Sequence, residues 1–263
     1  MRKIPFCFFI ICVSLILIDC DSDESVTTPQ TGNSDFTLMW KDEFESSLGS
    51  RWNIANWTFG NNRCEFGRNM VSIDEGALHL GIARKVENRG KYPDKPYWGA
   101  EVYTSEEYQY GKFETVMQPL TPSGVVTSFF LMNGIYDPDG NMLDWFEIDI
   151  EFPGTTKRIS YALHWFENGQ LNSTAKEVEL EFDASDAPHT YSIVWQPDSI
   201  AFFVDSTQTA LFDNPNIMKQ LQHPMSIHMN YWVSNSSAWV GPFYESVLPI
   251  QTVYESVAFY KPN

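Results

Sequence analysis

From Phe36 onward the sequence predicts an all-β fold, a sandwich of antiparallel sheets, and three observations carry that reading. Short runs alternate apolar with polar residues or are rich in β-branched and aromatic ones: ALHLGIA, YGKFETVMQP, FEIDIEF, RISYALHWF, TYSIVWQP, SIAFFVD and SVAFY. Turn formers punctuate these runs, with DEG from Asp74, DPDG from Asp137, PG from Pro153, ENG from Glu167 and QPDS from Gln196. One stretch alone reads as helix, about Pro215 to Leu221, with Asn214 as its cap. No repeat of solenoid or propeller length interrupts the pattern, so a single sandwich with long connections is expected.

Ahead of that domain, Arg2 and Lys3 precede an apolar run from Ile4 to Ile18 that ends just before Cys20. Residues 1–20 read as a signal peptide, whose apolar run falls short of the roughly 20 residues of a membrane-spanning helix. Residues 21–35, polar and without apolar periodicity, read as a flexible linker, and 36–263 as one domain. Of the cysteines, Cys7, Cys12 and Cys20 lie in the signal region, which leaves Cys64 without an internal disulfide partner. The chain carries 34 acidic residues against 17 Lys plus Arg, a net charge of −17 that repels phosphate backbones and anionic lipid surfaces. Nucleic acid is therefore excluded as an expected partner. Aromatic residues make up 15% of the chain, enough to line a binding surface as well as a core.

The stretch DWFEIDIEFPG places Glu147, Asp149 and Glu151 at alternate positions. On a strand these three share one face, while Ile148, Ile150 and Phe152 turn to the core. Charges two residues apart lie about 6.7 Å from each other and repel by about 0.6 kcal/mol in water, several-fold more in a partly dry cleft. No Lys or Thr interleaves them, and Trp145, Phe146 and Pro153 are apolar company. In an aromatic groove, repulsion and desolvation keep one carboxyl protonated while another stays ionised. Glycoside hydrolysis uses that division: one acid protonates the leaving oxygen while a carboxylate attacks, or activates water against, the anomeric carbon. A solvated acidic face is the plainer reading. Spacing alone leaves the stereochemistry open, because the two glutamate Cα atoms stand about 13 Å apart on a straight strand.

EIDIEF resembles the active-site signature of glycoside hydrolase family 16 in its uninterrupted, lichenase-like form. The resemblance extends through YGKFETVMQP, GVVTSFF, FDASDAPHTYSIVWQPDSIAFFVD, and MNYW followed by AWVG. It implies a curved β-jelly-roll of the concanavalin A type with a concave substrate cleft, and a retaining endo-glycosidase. Carried over by motif, Glu147 is the nucleophile, Glu151 the acid and then base, and Asp149 the assisting carboxylate. The pattern further puts Trp145 beside the catalytic strand, Glu101 and Tyr103 on a neighbouring strand, His164 and Phe166 across the cleft, and Asn230, Trp232 and Trp239 at the far wall. Trp57 is a further groove residue. The implied substrate is mixed-linkage β-1,3-1,4-glucan or β-1,3-glucan, with transglycosylation or another polysaccharide such as a galactan as alternatives.

Departures from that pattern fall at subsite positions: Phe146 where lichenases carry Asp, His164 where they carry Asn, Tyr103 where they carry Arg, and Met132 in place of an aromatic. The segments Tyr136 to Asp144 and Glu87 to Gly99 are expected to reshape the groove. No cofactor is expected in catalysis. The family resemblance also implies a structural calcium near Gly76 and Glu255, although Glu stands there in place of Asp. LIDC, ending at Cys20, resembles a lipoprotein acylation site, which implies an exported protein held at a bacterial surface; a monomer is expected. Two other classes stay open, a non-catalytic carbohydrate-binding jelly roll and a carboxylate metal site on Asp149, the latter lacking any His or Cys at ligand spacing along the chain.

Overall fold

The computed structural model describes residues 35–87, 89–139 and 142–263. The signal-like run, Cys20 and the linker up to residue 34 lie outside the described residues. In chain order the strands are β1 (Phe36–Asp42), β2 (Trp52–Ile54), β3 (Cys64–Phe66), β4 (Val71–Asp74), β5 (Ala77–Arg84), β6 (Tyr97–Thr104), β7 (Gly111–Gln118) and β8 (Val125–Tyr136). They continue with β9 (Met142–Pro153), β10 (Arg158–Glu167), β11 (Gln170–Glu179), β12 (His189–Trp195), β13 (Ile200–Val204), β14 (Thr207–Phe212), β15 (Ser226–Val233) and β16 (Ile250–Pro262). Two short helices, α1 (Pro215–Met218) and α2 (Ser237–Val240), lie among them.

One sheet runs β11-β10-β9-β8-β15-β6 and the other β5-β16-β7-β12-β13-β14. The expected sandwich is present, with a seam: Ala83 pairs with Trp98 and Arg84 with Tyr97, so the two sheets are continuous where β5 meets β6. One pairing departs from the antiparallel rule, β3 lying parallel to β6. The sheets press their apolar faces together. Ile148, Ile150 and Phe152 are fully buried, Phe152 meets Tyr191 edge-on at 5.4 Å, and Tyr161 stacks on Phe202 at 4.5 Å. At about 1.5–3 kcal/mol for each large apolar side chain removed from water, this face of β9 outweighs the repulsion among the acids on its reverse.

Tyr254 of β16 crosses the core and donates its hydroxyl hydrogen to the Ser128 carbonyl at 2.8 Å, tying the far sheet to the backbone of β8. The helix expected over Pro215 to Leu221 is shorter. Asn214 caps it as expected, its side chain accepting from the Asn216 N–H. Beyond Met218 the chain tightens into three-residue turns, Gln220 N–H to the Ile217 carbonyl and Leu221 N–H to the Met218 carbonyl. The segment Tyr136 to Asp144 is strand at its two ends, where β8 runs on to Tyr136 and β9 starts at Met142, with a turn at Pro138 and Asp139. Cys64 is a buried free thiol, pushed up to about 12 by burial.

Candidate active site

The acid row is set by β9 and its two neighbours. On β10, His164 stands opposite Glu147, Ala162 opposite Asp149 and Ser160 opposite Glu151. On β8, Met132, Phe130 and Ser128 take the same three places. The register continues across β15, pairing Phe130 with His228 and Ser128 with Asn230, and into β6, pairing His228 with Tyr103 and Asn230 with Glu101. Side chains alternate along every strand, so all these residues share the face turned away from the inter-sheet core. That face is nevertheless recessed: Asp149, Glu101, Asn230 and Trp232 are no more than 5% exposed, and Glu147 and Glu151 are half-buried.

Two corrections to the sequence reading follow from this order. Glu101 and Tyr103 are not on a strand neighbouring β9, since β8 and β15 intervene. His164 does not lie across the cleft but in the row itself, its Nε2 3.2 Å from Asp149 Oδ2. Phe166 follows on the same face of β10, half-buried. The remaining rings close on the row from outside the sheet. Trp57 meets Tyr103 at 5.2 Å and Trp239 of α2 meets Trp232 at 6.3 Å. Gly154, at φ +68°, lets α2 come down at the end of β9, where a Cβ would collide with the Val240 carbonyl.

Electrostatics divide the acids. Burial raises the Glu147 carboxyl above its ordinary range and the Asp149 charge adds to this, while His164 and the Trp145 ring N–H pull the other way. That N–H donates to Glu147 Oε2 at 2.8 Å. Glu151 is also raised by burial, and then by the charges of both Asp149 and Glu147, with only His164 and Ser128 opposing. Asp149 is raised by burial against its His164 contact. For His164, burial acts to depress the imidazole, but Asp149, Glu147 and Glu151 together lift it to about 9. The row thus carries three acids and one cation, and cannot be fully ionised at neutral pH.

Glu147, Asp149 and His164 also offer one ligand atom each, all within 4.8 Å of one another. The expectation that no His stands near the acids at ligand spacing is therefore corrected: strand pairing supplies what the linear sequence does not. Gly76 and Glu255 belong elsewhere. Gly76 sits in the turn between β4 and β5, and Glu255, exposed, follows Tyr254, the partner of Leu78. Both are on the second sheet, away from the row. A surface groove of about 850 Å³ over the outer face of β12 to β14, lined by Val194, Ala201, Phe203, Leu211 and Met218, holds none of the acids.

The structure adds groove residues that the sequence reading missed. His228 is buried between Tyr103, stacked at 5.3 Å, and Phe130, stacked at 4.8 Å. Its Nε2 lies 2.9 Å from Ser226 Oγ and its Nδ1 3.4 Å from Glu101 Oε1, while Asn230 donates to Glu101 Oε2 at 3.3 Å. Period-two spacing from Asn230 and Trp232 was the available signal. Asn230 Oδ1 and Trp232 Nε1 are buried without a protein partner on this face, groups of the kind that take sugar hydroxyls.

Comparison with known proteins agrees with this geometry. Residues 55–243 match the family described as glycosyl hydrolases family 16. A beta-glucanase of Brevibacillus brevis is 33% identical over 224 residues, spanning 83% of this chain and 80% of its own. A beta-glucanase of Bacillus subtilis is 32% identical, spanning 90% of each. The crystal structure of a prokaryotic β-1,3-1,4-glucanase (lichenase) derived from a mouse hindgut metagenome superposes with a TM-score of 0.72 at 28% identity, covering 85% of this chain and 99% of that one. The chain belongs to glycosyl hydrolases family 16.

Proposed function

We propose that this protein is a retaining endo-β-glucanase that hydrolyses internal bonds of mixed-linkage β-1,3-1,4-glucan, or of β-1,3-glucan. The observation that carries the reading is the unequal support given to two glutamates on one recessed face. Glu147 has a ring N–H at 2.8 Å and a facing histidine, whereas Glu151 faces the charges of both other acids. Glu151 keeps its proton longer and serves as the acid; Glu147 gives up its proton first and serves as the nucleophile. In the first step Glu151 donates its proton to the glycosidic oxygen as that bond breaks, and the Glu147 carboxylate bonds to the anomeric carbon. In the second, Glu151 takes a proton from water, whose oxygen displaces Glu147. Two inversions restore the starting configuration. Asp149, held by His164, keeps negative charge between the pair.

Product analysis on lichenan, laminarin, xyloglucan and agarose tests the substrate, and Glu147→Gln tests the mechanism. The variant is expected to bind soluble β-glucan while releasing no reducing ends; undiminished release removes the assignment. The donor set at Glu147, Asp149 and His164 favours one second reading, a metal held in the row, and activity lost on dialysis against EDTA and restored by a divalent ion would establish it. Export with acylation at Cys20 is also proposed, on the apolar run before that residue. A structural calcium is a separate proposal, in which the Gly76 carbonyl and Glu255 carboxylate supply two of the six to eight oxygens the ion takes. A melting temperature unmoved by EGTA argues against it.

A further inference from the structure

The hairpin joining β8 to β9 extends past the acid row. Ile135 pairs with Asp144 and Tyr136 with Met142, the register shifting by one residue between them. Tyr136 is 51% exposed, and its neighbours Ile135 and Leu143 are 38% and 55% exposed, so these side chains stand open among the described residues. The Tyr136 ring nevertheless has a defined seat. A Cβ placed on Gly134 would lie 2.8 Å from Tyr136 Cε2 and 3.1 Å from both Cε3 and Cζ3 of Trp145. Both rings therefore rest on the bare backbone of Gly134, whose ladder partner is Trp145 itself. Any side chain at 134 would push one of them off.

Trp145 connects this seat to the chemistry through its hydrogen bond to Glu147. Burial of part of the ring raises the Tyr136 phenol, and the Glu147 charge raises it further, which agrees with that proximity. A pyranose presents C–H bonds on its faces and hydroxyls around its rim. It is met by a flat ring with a polar tip, and tyrosine offers both. Exposed apolar surface beside a recessed polar row marks a binding surface more than a core remnant.

Resting on the β-glucanase reading above, we propose that Tyr136, seated beside Trp145 on Gly134, adds a stacking face for a pyranose ring of the glucan beyond the sugar held at Glu147. Tyr136 thereby sets specificity for chains long enough to reach the hairpin. The test is steady-state kinetics on soluble mixed-linkage β-glucan and on the shortest oligosaccharide of that glucan the enzyme cleaves. Tyr136→Ala is expected to raise KM on the polymer roughly tenfold, equivalent to about 1.4 kcal/mol, with kcat within about twofold and the pH profile unmoved. Tyr136→Phe, which keeps the ring and loses the polar tip, is expected to fall between wild type and Tyr136→Ala in KM, and Gly134→Ala to shift KM in the direction of Tyr136→Ala.

An unchanged KM in Tyr136→Ala, while the wild type cleaves the polymer, overturns the subsite. So does a loss confined to kcat with a displaced acid limb, which would mean that Tyr136 acts only on the charge of Glu147. A wild type that cleaves no β-glucan removes the functional reading, and the subsite with it. Melting temperatures accompany each variant, and if Gly134→Ala does not fold, the exposed Tyr136→Ala decides.

Discussion

Glu65 on β3 and the acid row on β9 treat desolvated carboxylates in opposite ways. Glu65, 4% exposed on β3, accepts from Lys85 Nζ at 2.5 Å and from the backbone N–H groups of Lys91 at 2.7 Å and Tyr92 at 2.9 Å. Burial pushes its carboxyl up, but Lys85 and the two N–H groups outweigh that and hold it below the ordinary range. Lys85 also donates to the Tyr92 carbonyl at 2.9 Å and lies 4.5 Å from the Trp98 ring centroid. The result is a fully partnered ion that pins the segment leading into β6. On β9, by contrast, three acids share one histidine, one indole N–H and the Ser128 hydroxyl, and all three are raised. Burial is common to both; the number of donors per charge separates a structural carboxylate from a reactive one.

Replacing one glutamate in each region gives the sharpest contrast. Glu151→Gln keeps the shape but removes the transferable proton, and kcat/KM on β-glucan is expected to fall by about 10³-fold or more. Glu65→Gln touches no substrate, so kcat of the folded enzyme is expected to stay within about twofold. Comparable losses of kcat in the two variants would erase the distinction drawn here.

Stability separates the regions in the other direction. Lys85→Met leaves Glu65 buried without its cation, and removing one partner of a buried pair costs about 3–5 kcal/mol. Urea unfolding followed by tryptophan fluorescence measures this, and a midpoint equal to wild type would show that the pair is not the clamp on this segment. The acid row predicts a pH-dependent difference of opposite sign. A carboxyl raised on folding binds its proton more tightly in the native state, so its contribution to stability is lost as pH climbs from the unfolded value of 4.5 toward the native one. Glu65, lowered on folding, loses its contribution as pH falls below 4.5. Glu147→Gln should therefore gain on the wild type as pH rises from 5 to 8, by about 1–2 kcal/mol. A gap between the two midpoints that stays constant over this range would contradict the frustrated row.

Much of this was legible in the sequence because period-two alternation fixes faces. The core side of β9, the shared face of its three acids and the cap at Asn214 all follow from local pattern. What the sequence withheld was strand order. His164 and Asp149 are 15 positions apart, and only the pairing of β9 with β10 makes them neighbours. The same holds for Glu101, read as adjacent to the catalytic strand but separated from it by β8 and β15. The Glu65–Lys85 clamp went unseen because an isolated Glu and Lys 20 residues apart carry no periodic signal. Tyr136 was hidden for a different reason, since a register shift breaks alternation at that residue.

The smallest expected effect concerns His164, the one cation of the row. Lifted to about 9, it is protonated through neutral pH, and its charge faces Glu147 from across the strand pair while contacting Asp149. His164→Asn removes that charge without removing a hydrogen-bonding side chain. Both carboxyls then hold their protons to higher pH, so the acid limb of the kcat/KM profile should move up by about one pH unit. The stability the wild type draws from the histidine is present below the unfolded value of 6.5 and lost as pH passes about 9. The stability gap between wild type and variant should accordingly close over that interval. An acid limb that stays in place would mean that Asp149 and Glu147 are set by burial alone, and that the contrast with the lysine-clamped Glu65 lies in desolvation and not in the supply of cations.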